Sequence, residues 1–391
     1  MPKPLTIVHI IPELNLKGGG VNTFLKTLIY CLVDKQNKNI IKNIIVTNQS
    51  DESDRKDFQA LGTPVFSRLM ASQLDQGKPL EIIQWMTQIL KQLQPDLVNT
   101  HLFWADTLGR QAAVSAGVPV IITRECNVNL NETAKHRKIK RDLANITDCI
   151  ICNAEAVRKY AEEVEGIPPH SLEVIHNGVL IEKYECDCSY DHQKPVEFVY
   201  VGRLEPQKNP LILINAFAAI IVDYPDCRLS IIGDGSLKEE CLNQVKTLGL
   251  SESVRFLGYN KKPWDWVNPG SVSILTSSFE GLPNAVLEAM AAGIICIVPN
   301  LAVMKEIAKA GSELIIYEVG NQNKLIEAMK LLLEMTPEEK LLMIRTARTR
   351  VEQDFDAHKM ADKYLNLYQT IYRNKVLTKH TADKVRGSSG Y

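Results

Sequence analysis

Two glutamates eight residues apart, Glu280 and Glu288, lie in the segment ILTSSFEGLPNAVLEAMAA. An apolar strand pattern is followed there by a short loop and then a helix, in which Pro283 suits the first turn and Asn284 or Ser278 suits the cap. The amides and dipole at the start of a helix attract a phosphate or pyrophosphate. The two carboxylates could then accept hydrogen bonds from two sets of sugar hydroxyls. An isolated pair would be ordinary surface charges, but this context favours a binding site.

A second candidate cluster follows the apolar run VEFVYVG. Arg203 and Lys208 lie in the loop after Gly202, where the carboxyl end of a parallel strand would bind a ligand. A guanidinium and an ammonium can neutralise a diphosphate and stabilise the charge that accumulates on it as it departs. The alternative is an exposed pair without a role. The apolar helix pattern that follows, NPLILINAFAAI, favours the functional interpretation.

Two glycine turns follow predicted strands. Gly233, in IIGDG, makes a tight turn and could let a nucleoside approach the backbone, but the final glycine of the dinucleotide fingerprint is missing. Gly19 and Gly20 follow the first strand and permit positive φ angles close to a ligand. A flexible linker is the alternative for this glycine run, although linkers rarely lie between a strand and its helix.

Composition bounds the class of protein. The chain has 391 residues, 45% of them hydrophobic and 23% charged, with a formal net charge of -1. These values fit a globular protein of two domains and exclude a strongly basic nucleic-acid binder. Several of the nine cysteines lie in apolar runs, which favours a reducing compartment. With no apolar run long enough to span a bilayer, we expect a cytoplasmic protein, with peripheral contact to the inner face of a membrane as an alternative.

Strand and helix patterns alternate along the chain, which predicts an α/β protein of parallel sheets with helices on both faces. The polar, proline-ended segment ECDCSYDHQKP breaks the pattern, and a second series begins at VEFVYVGRL. We therefore predict one domain at 1–185, a linker at 186–194, a second domain at 195–355, a helix at 356–375 packing back on the first domain and a disordered tail at 376–391.

At these residues the chain resembles the retaining glycosyltransferases of the GT-B fold, in particular family 4. The resemblance covers nearly the whole chain: the glycine loop, VGRL-x3-K, the IIGDG turn, EGLPNAVLEAMAAG with its paired glutamates, and the terminal helix ending YLNLYQTIY. It implies two Rossmann-like β/α/β domains facing across a cleft, an acceptor-binding domain at 1–185 and a nucleotide-sugar-binding domain at 195–355. It also implies transfer of a hexose or N-acetylhexosamine from a nucleotide diphosphate sugar, with UDP-sugars favoured, to a hydroxyl of a carbohydrate or lipid-linked acceptor.

The resemblance assigns roles to the residues above. Arg203 and Lys208 would hold the donor diphosphate, Glu288 the ribose hydroxyls and Glu280 the hydroxyls of the transferred sugar. The other donor-binding residues would be Gly19, Gly20, Gly202, Gly233, Gly281, Leu282, Pro283 and Asn284. The configuration at the anomeric carbon would be retained by a front-face route in which the leaving phosphate helps to deprotonate the acceptor.

Two positions depart from the family pattern, one around Ala302 and Val303, where members often carry a glycine pair, and one in the first domain. Many members carry a histidine shortly after the strand that reads VIIT here, whereas this chain has Arg124-Glu125-Cys126. Glu125 takes that position in one interpretation, and His101 contributes from a neighbouring strand end in another. His101 is equally well explained as a hydrogen-bonded structural residue.

Other features leave alternatives open. No cluster has metal-ligand spacing, and Cys149-x-x-Cys152 lies in a strand pattern that directs the thiols to opposite faces, so we predict no obligatory metal or cofactor. The basic run Lys135–Arg141 is either a solvated helix face or a peripheral contact to anionic lipid or to a pyrophosphate-linked acceptor. A non-catalytic sugar-nucleotide-binding protein and a GT-B epimerase are the alternative functions.

Overall fold

The computed structural model describes residues 3–15, 19–70, 78–130, 132–184, 195–268 and 270–388. These residues form two compact units, which we describe separately. Unit 1 comprises Met1–Cys126, Asn131–His176 and Ala357–Tyr391, and unit 2 comprises Asn127–Leu130 and Asn177–Asp356. The predicted linker at 186–194 and the end of the predicted tail lie outside the described residues.

Unit 1 is built on a seven-stranded parallel sheet in the order β3-β2-β1-β4-β5-β6-β7. Its strands are β1 Leu5–Leu14, β2 Ile41–Ser50, β3 Val65–Met70, β4 Leu97–His101, β5 Val120–Glu125, β6 Cys149–Cys152 and β7 Leu172–Val174. The helices between them are α1 Gly20–Asn37, α2 Glu52–Ala60, α3 Pro79–Leu93, α4 Phe103–Ala116, α5 Ala134–Ala144 and α6 Glu155–Glu163.

The apolar runs of unit 1 are buried on both faces of the sheet, as parallel strands require. Ile7 and Ile11 of β1 pack with the α1 residue Leu28 on one face. Val8 and Ile10 of β1 pack on the other face with residues of α3 and α4. The strand order changes direction between β1 and β4, so the carboxyl ends of these neighbouring strands form the crevice where such sheets bind ligands.

Unit 2 is built on a six-stranded parallel sheet in the order β10-β9-β8-β11-β12-β13. Its strands are β8 Glu197–Val201, β9 Arg228–Ile232, β10 Val254–Gly258, β11 Val272–Ile274, β12 Ile295–Pro299 and β13 Ile315–Tyr317. Its helices are α7 Pro210–Asp223, α8 Lys238–Thr247, α9 Asn284–Ala291, α10 Met304–Ile307, α11 Gln322–Glu334 and α12 Pro337–Asp354. The direction of winding changes between β8 and β11, which places the loops after these two strands side by side.

The last helix, α13 Ala357–Ser388, completes the core of unit 1. Its Tyr364 and Tyr368 are fully buried against the sheet, and Asn99 Nδ2 of β4 donates a hydrogen bond of 2.6 Å to Tyr368 Oη. The helix runs well beyond the predicted 356–375, into the segment that sequence reasoning assigned to a disordered tail. Across the described residues, no helix combines the length and apolarity needed to cross a membrane.

Candidate functional site

The carboxylate of Glu280 lies in the loop after β11, where it is 9% exposed. Its Oε1 accepts a hydrogen bond of 2.6 Å from Ser277 Oγ and forms an ion pair with the ammonium of Lys208. The two halves of this ion pair are 72 residues apart in the chain, and they meet because β8 and β11 are neighbours in the sheet. The arrangement fixes an anion and a cation at the edge of unit 2 formed by the carboxyl ends of its strands.

Three hydrogen bonds hold the Lys208 loop against the loop after β11. The Ser278 amide donates to the Gln207 carbonyl oxygen at 2.8 Å, and Gln207 Nε2 donates to the Phe279 carbonyl oxygen at 2.9 Å. Thr276 Oγ1 donates to the carbonyl oxygen of Lys208 at 2.7 Å. The cation is therefore positioned by its backbone as well as by its carboxylate partner.

The start of α9 presents backbone amides to the same corner. The helix begins at Asn284, and Pro283 occupies the N-cap position with extended backbone, so the predictions of Pro283 in the first turn and of a capping Asn284 are wrong. The Asn284 side-chain oxygen instead accepts a hydrogen bond of 2.7 Å from Asn177. Within the described residues, the amides of Gly281 and Leu282 donate to no acceptor. Amides at the start of a helix are the type of donor that binds phosphate oxygens.

Glu288 lies one turn inside α9, half-buried, and accepts a hydrogen bond of 3.1 Å from the indole Nε1 of Trp264. Burial raises the pKa of the Glu288 carboxyl to about 7, while Trp264 and the nearby Lys183 act in the opposite direction. Burial, and secondly the nearby Glu288 charge, raise the pKa of the Tyr184 phenol. Glu288 is therefore a carboxyl that ionises near neutral pH among aromatic side chains.

Arg203 and two glycines occupy the ends of β8 and β9. The Arg203 side chain is exposed, and its carbonyl oxygen accepts a hydrogen bond of 2.7 Å from Tyr200 Oη. Gly233 has a φ of 154°, and a Cβ added there would lie 1.8 Å from the carbonyl oxygen of Gly202. Glycine is therefore required at 233, because the ends of two strands pack closely there. Sequence reasoning explained this glycine by the approach of a nucleoside to the backbone.

The glycine loop of unit 1 follows β1. Gly19 has a φ of 122°, which disfavours a residue with a side chain, and Gly20 is the first residue of α1. Both lie at the carboxyl edge of the sheet, at the point where its strand order changes direction.

His101 ends β4 with a fully buried imidazole. Its Nε2 lies 3.3 Å from Nδ1 of His9, and its ring packs near Phe24. Burial lowers the pKa of His9 to about 4 and that of His101 well below its ordinary value, so both rings are neutral at pH 7. A buried ring offers no surface to an acceptor, which favours the structural interpretation of His101.

Glu125 ends β5 and lies 3.2 Å from the ammonium of Lys140. Lys140 is 5% exposed, so the basic run Lys135–Arg141 is not one solvated or lipid-facing surface. The helical period directs Lys140 inward with Leu143, while Lys138 is exposed and ion-paired with Asp142. The buried Lys140 therefore offers no surface to a membrane, because its ammonium is bound by buried carboxyl groups.

Two family models match the chain in succession. Residues 18–183 match the model described as Glycosyltransferase Family 4, and residues 189–350 match Glycosyl transferases group 1. The chain belongs to these glycosyltransferases.

The names of two relatives of the enzyme describe glycosyltransferases of glycan assembly. It is 27% identical over 317 residues to the UDP-Gal:alpha-D-GlcNAc-diphosphoundecaprenol alpha-1,3-galactosyltransferase of Escherichia coli, covering 76% of this chain and 81% of the relative. It is 28% identical over 190 residues to the N-acetylgalactosamine-N,N'-diacetylbacillosaminyl-diphospho-undecaprenol 4-alpha-N-acetylgalactosaminyltransferase of Campylobacter jejuni, covering 48% of this chain and 51% of the relative.

Solved structures confirm the fold of the glycosyltransferase. The Anabaena protein HepE, in complex with UDP and glucose, matches 94% of this chain and 100% of its own with a TM-score of 0.78 at 17% identity. The sucrose-phosphate synthase of Thermosynechococcus elongatus matches 94% of this chain and 99% of its own with a TM-score of 0.78 at 16% identity. The predicted GT-B class, with two Rossmann-like units, is thereby confirmed.

The structure brings together some of the enzyme's predicted site residues and adds others. Within unit 2, Lys208 and Glu280 are in contact, and helix α9 begins at Asn284, shortly after Glu280 in the chain. Sequence reasoning missed Trp264 and Gln207, which orient Glu288 and the Lys208 loop. No group of three or more His, Cys, Asp or Glu residues suited to a metal ion occurs in the described parts of the chain.

Proposed function

We propose that the enzyme transfers a hexose or N-acetylhexosamine from a UDP-sugar, with retention of anomeric configuration, to a hydroxyl of a lipid-linked carbohydrate. The observation that carries this proposal is the contact between Lys208 and Glu280 at the start of α9. A sugar diphosphate would match this pair, because its phosphate oxygens can accept hydrogen bonds from Lys208 while the neighbouring sugar hydroxyls donate to Glu280. The relatives' names supply the choice of UDP and of a diphospholipid-linked acceptor.

The proposed chemistry follows from the donors at this corner. The ammonium of Lys208 has three N–H bonds, so it can bind a phosphate while it contacts Glu280. The guanidinium of Arg203 and the amides of Gly281 and Leu282 add donors for the diphosphate. As the bond from the anomeric carbon to the phosphate oxygen breaks, these groups stabilise the growing negative charge. Glu280 accepts hydrogen bonds from the transferred sugar, and Glu288 accepts them from the ribose.

Donor binding and transfer are tested on the full-length enzyme. Thermal unfolding with UDP-, GDP- and ADP-sugars should show stabilisation by the UDP compounds, because a ligand that binds the native state raises its stability. Transfer from UDP-galactose to N-acetylglucosaminyl diphosphate on a short lipid, with the anomeric product read by NMR, tests the reaction and its retention. An inverted product, or stabilisation without turnover on any donor, would contradict the proposal.

The substitution Lys208→Met removes the positive charge of Lys208 and so tests its role in the reaction. We expect turnover to fall by about 100- to 1,000-fold, the loss typical of removing one donor from a developing anion. Lys246→Met, an exposed lysine on α8, is the matched control and should leave turnover unchanged. Equal activity of the two variants would rule out a role for Lys208 in departure of the diphosphate.

A further inference from the structure

One lysine and three glutamates form a cluster inside unit 1. Lys140 Nζ lies 2.7 Å from Glu165 Oε1, 3.0 Å from Glu132 Oε1 and 3.2 Å from Glu125 Oε2. The side chains of Lys140, Glu132 and Glu165 are 6%, 2% and 2% exposed, whereas that of Glu125 is 16% exposed. Glu125 is therefore the member of the cluster that reaches solvent.

Three carboxyl groups surround one ammonium in this cluster. Glu132 Oε2 and Glu165 Oε2 are buried without a hydrogen-bond partner among the described residues. Burial and the neighbouring Glu125 charge raise the pKa of the Glu165 carboxyl to about 8.

Glu125 lies where parallel sheets bind their ligands. It is the last residue of β5, which neighbours β4, and β4 neighbours β1 at the change of strand order. Lys140 holds Glu125 Oε2, while Glu125 Oε1 accepts no hydrogen bond from the described residues. The chain thus presents one oriented carboxylate oxygen at this edge.

Stability alone does not explain these charges. Desolvating an ion pair is so unfavourable that apolar side chains of similar size usually stabilise a fold as well or better. A carboxylate with one oxygen fixed and the other open is, by contrast, suited to accept a hydrogen bond from a sugar hydroxyl.

We propose that the Glu125 carboxylate binds a hydroxyl of the acceptor carbohydrate, and that Lys140, held by Glu132 and Glu165, is the residue that positions it. This inference rests on the proposed function, because it requires an acceptor hydroxyl. Glu125 accepts a hydrogen bond and takes up no proton. Lys140, Glu132 and Glu165 act through Glu125 and touch no substrate.

Glu125→Gln removes the charge and keeps the shape. With UDP-galactose as donor and N-acetylglucosaminyl diphosphate on a short lipid as acceptor, we expect the acceptor KM to rise about 10- to 100-fold, because a hydrogen bond to a charged group is lost. Thermal stabilisation by UDP should stay unchanged, since Lys208, Glu280 and Glu288, the side chains proposed to bind the donor, belong to unit 2. Glu125→Asp retains the charge but shifts the oxygen, and it should raise the acceptor KM with the fold intact.

Lys140→Met tests positioning, with Lys138→Met on the same helix as the matched control. We expect the acceptor KM of Lys140→Met to match that of Glu125→Gln and that of Lys138→Met to match wild type.

A pH profile separates positioning from a structural role. Lys140 lowers the pKa of Glu125 against the effect of burial, so its removal should make the acceptor KM fall as pH rises and Glu125 ionises. Glu125→Gln should show no such dependence. The groups that face Glu125 are Lys140 from α5, Asp106 and Arg110 from α4, Glu165 after α6, Cys152 from β6 and the adjacent Cys126.

Two results would overturn the inference while the proposed function stands. They are a wild-type acceptor KM in Glu125→Gln and a wild-type pH profile in Lys140→Met, each with active wild-type enzyme. Absence of turnover in wild type with every UDP-sugar would instead refute the proposed function, and the inference with it.

Discussion

Replacing Glu288 by glutamine should stabilise the protein in a pH-dependent way. Burial raises the pKa of this carboxyl from 4.5 to about 7, so the folded protein favours its neutral form. The stability that this carboxyl contributes is fully present below its unfolded pKa and is lost as pH rises through its folded pKa. A shift of about 2.5 units at about 1.4 kcal/mol per unit sets an upper limit of roughly 3 kcal/mol above pH 7.

The measurement is a comparison of wild type and Glu288→Gln by urea unfolding, near pH 5 and near pH 8. The glutamine oxygen still accepts from Trp264, so the change isolates the charge. We expect the variant to gain less than about 1 kcal/mol near pH 5 and more near pH 8, up to roughly 3 kcal/mol. Trp264→Phe is the companion variant, because losing the indole donor should raise the pKa of Glu288 further.

The same substitution should weaken stabilisation by UDP, because an amide accepts the ribose hydroxyls less strongly than a carboxylate does. A stability gain coupled to weaker ligand binding is the pattern expected of a site residue. An equal gain at both pH values would refute the reasoning, since it would show that the carboxyl has no raised pKa.

Two further substitutions test the packing of each unit. Gly233→Ala forces a Cβ to 1.8 Å from the Gly202 carbonyl oxygen and should destabilise unit 2 by roughly 3 kcal/mol or more, whereas Gly249→Ala, which meets no atom within 4 Å, should lose only about 1–2 kcal/mol to its φ of +68°. Thermal unfolding of the two variants checks this difference, and equal losses would contradict it. Tyr368→Phe leaves Asn99 Nδ2 without its acceptor in unit 1 and should destabilise by about 1–3 kcal/mol in urea unfolding; an unchanged midpoint would show that the bond contributes nothing.

Proximity of Lys208 and Glu280 could be predicted from sequence because each follows an apolar strand. Strands of parallel sheets place their loops at one edge, so residues 72 apart in the chain meet without any local signal between them. The same rule places the carboxyl ends of β1 and β4 side by side in unit 1.

Other features depended on contacts that leave no local pattern. Trp264 reaches Glu288 from a short 3-10 segment without periodicity. Lys140 belongs to a basic run, and only the carboxylates of Glu125, Glu132 and Glu165, distant in sequence, show why it is buried. The strands β7 and β13 have three residues each, too few to display the alternation or apolar run by which a strand is recognised.

The core of unit 1 combines residues that are synthesised early with residues of helix α13, which are synthesised after unit 2. Phe24 and Tyr364 pack with ring centroids 5.5 Å apart, yet the ribosome must make all of unit 2 between them. The nascent amino-terminal sheet therefore exposes an apolar face until α13, which covers it in the folded protein, has been synthesised. A chain truncated after residue 356 would keep that face exposed, and aggregation of the truncated protein is the expected outcome.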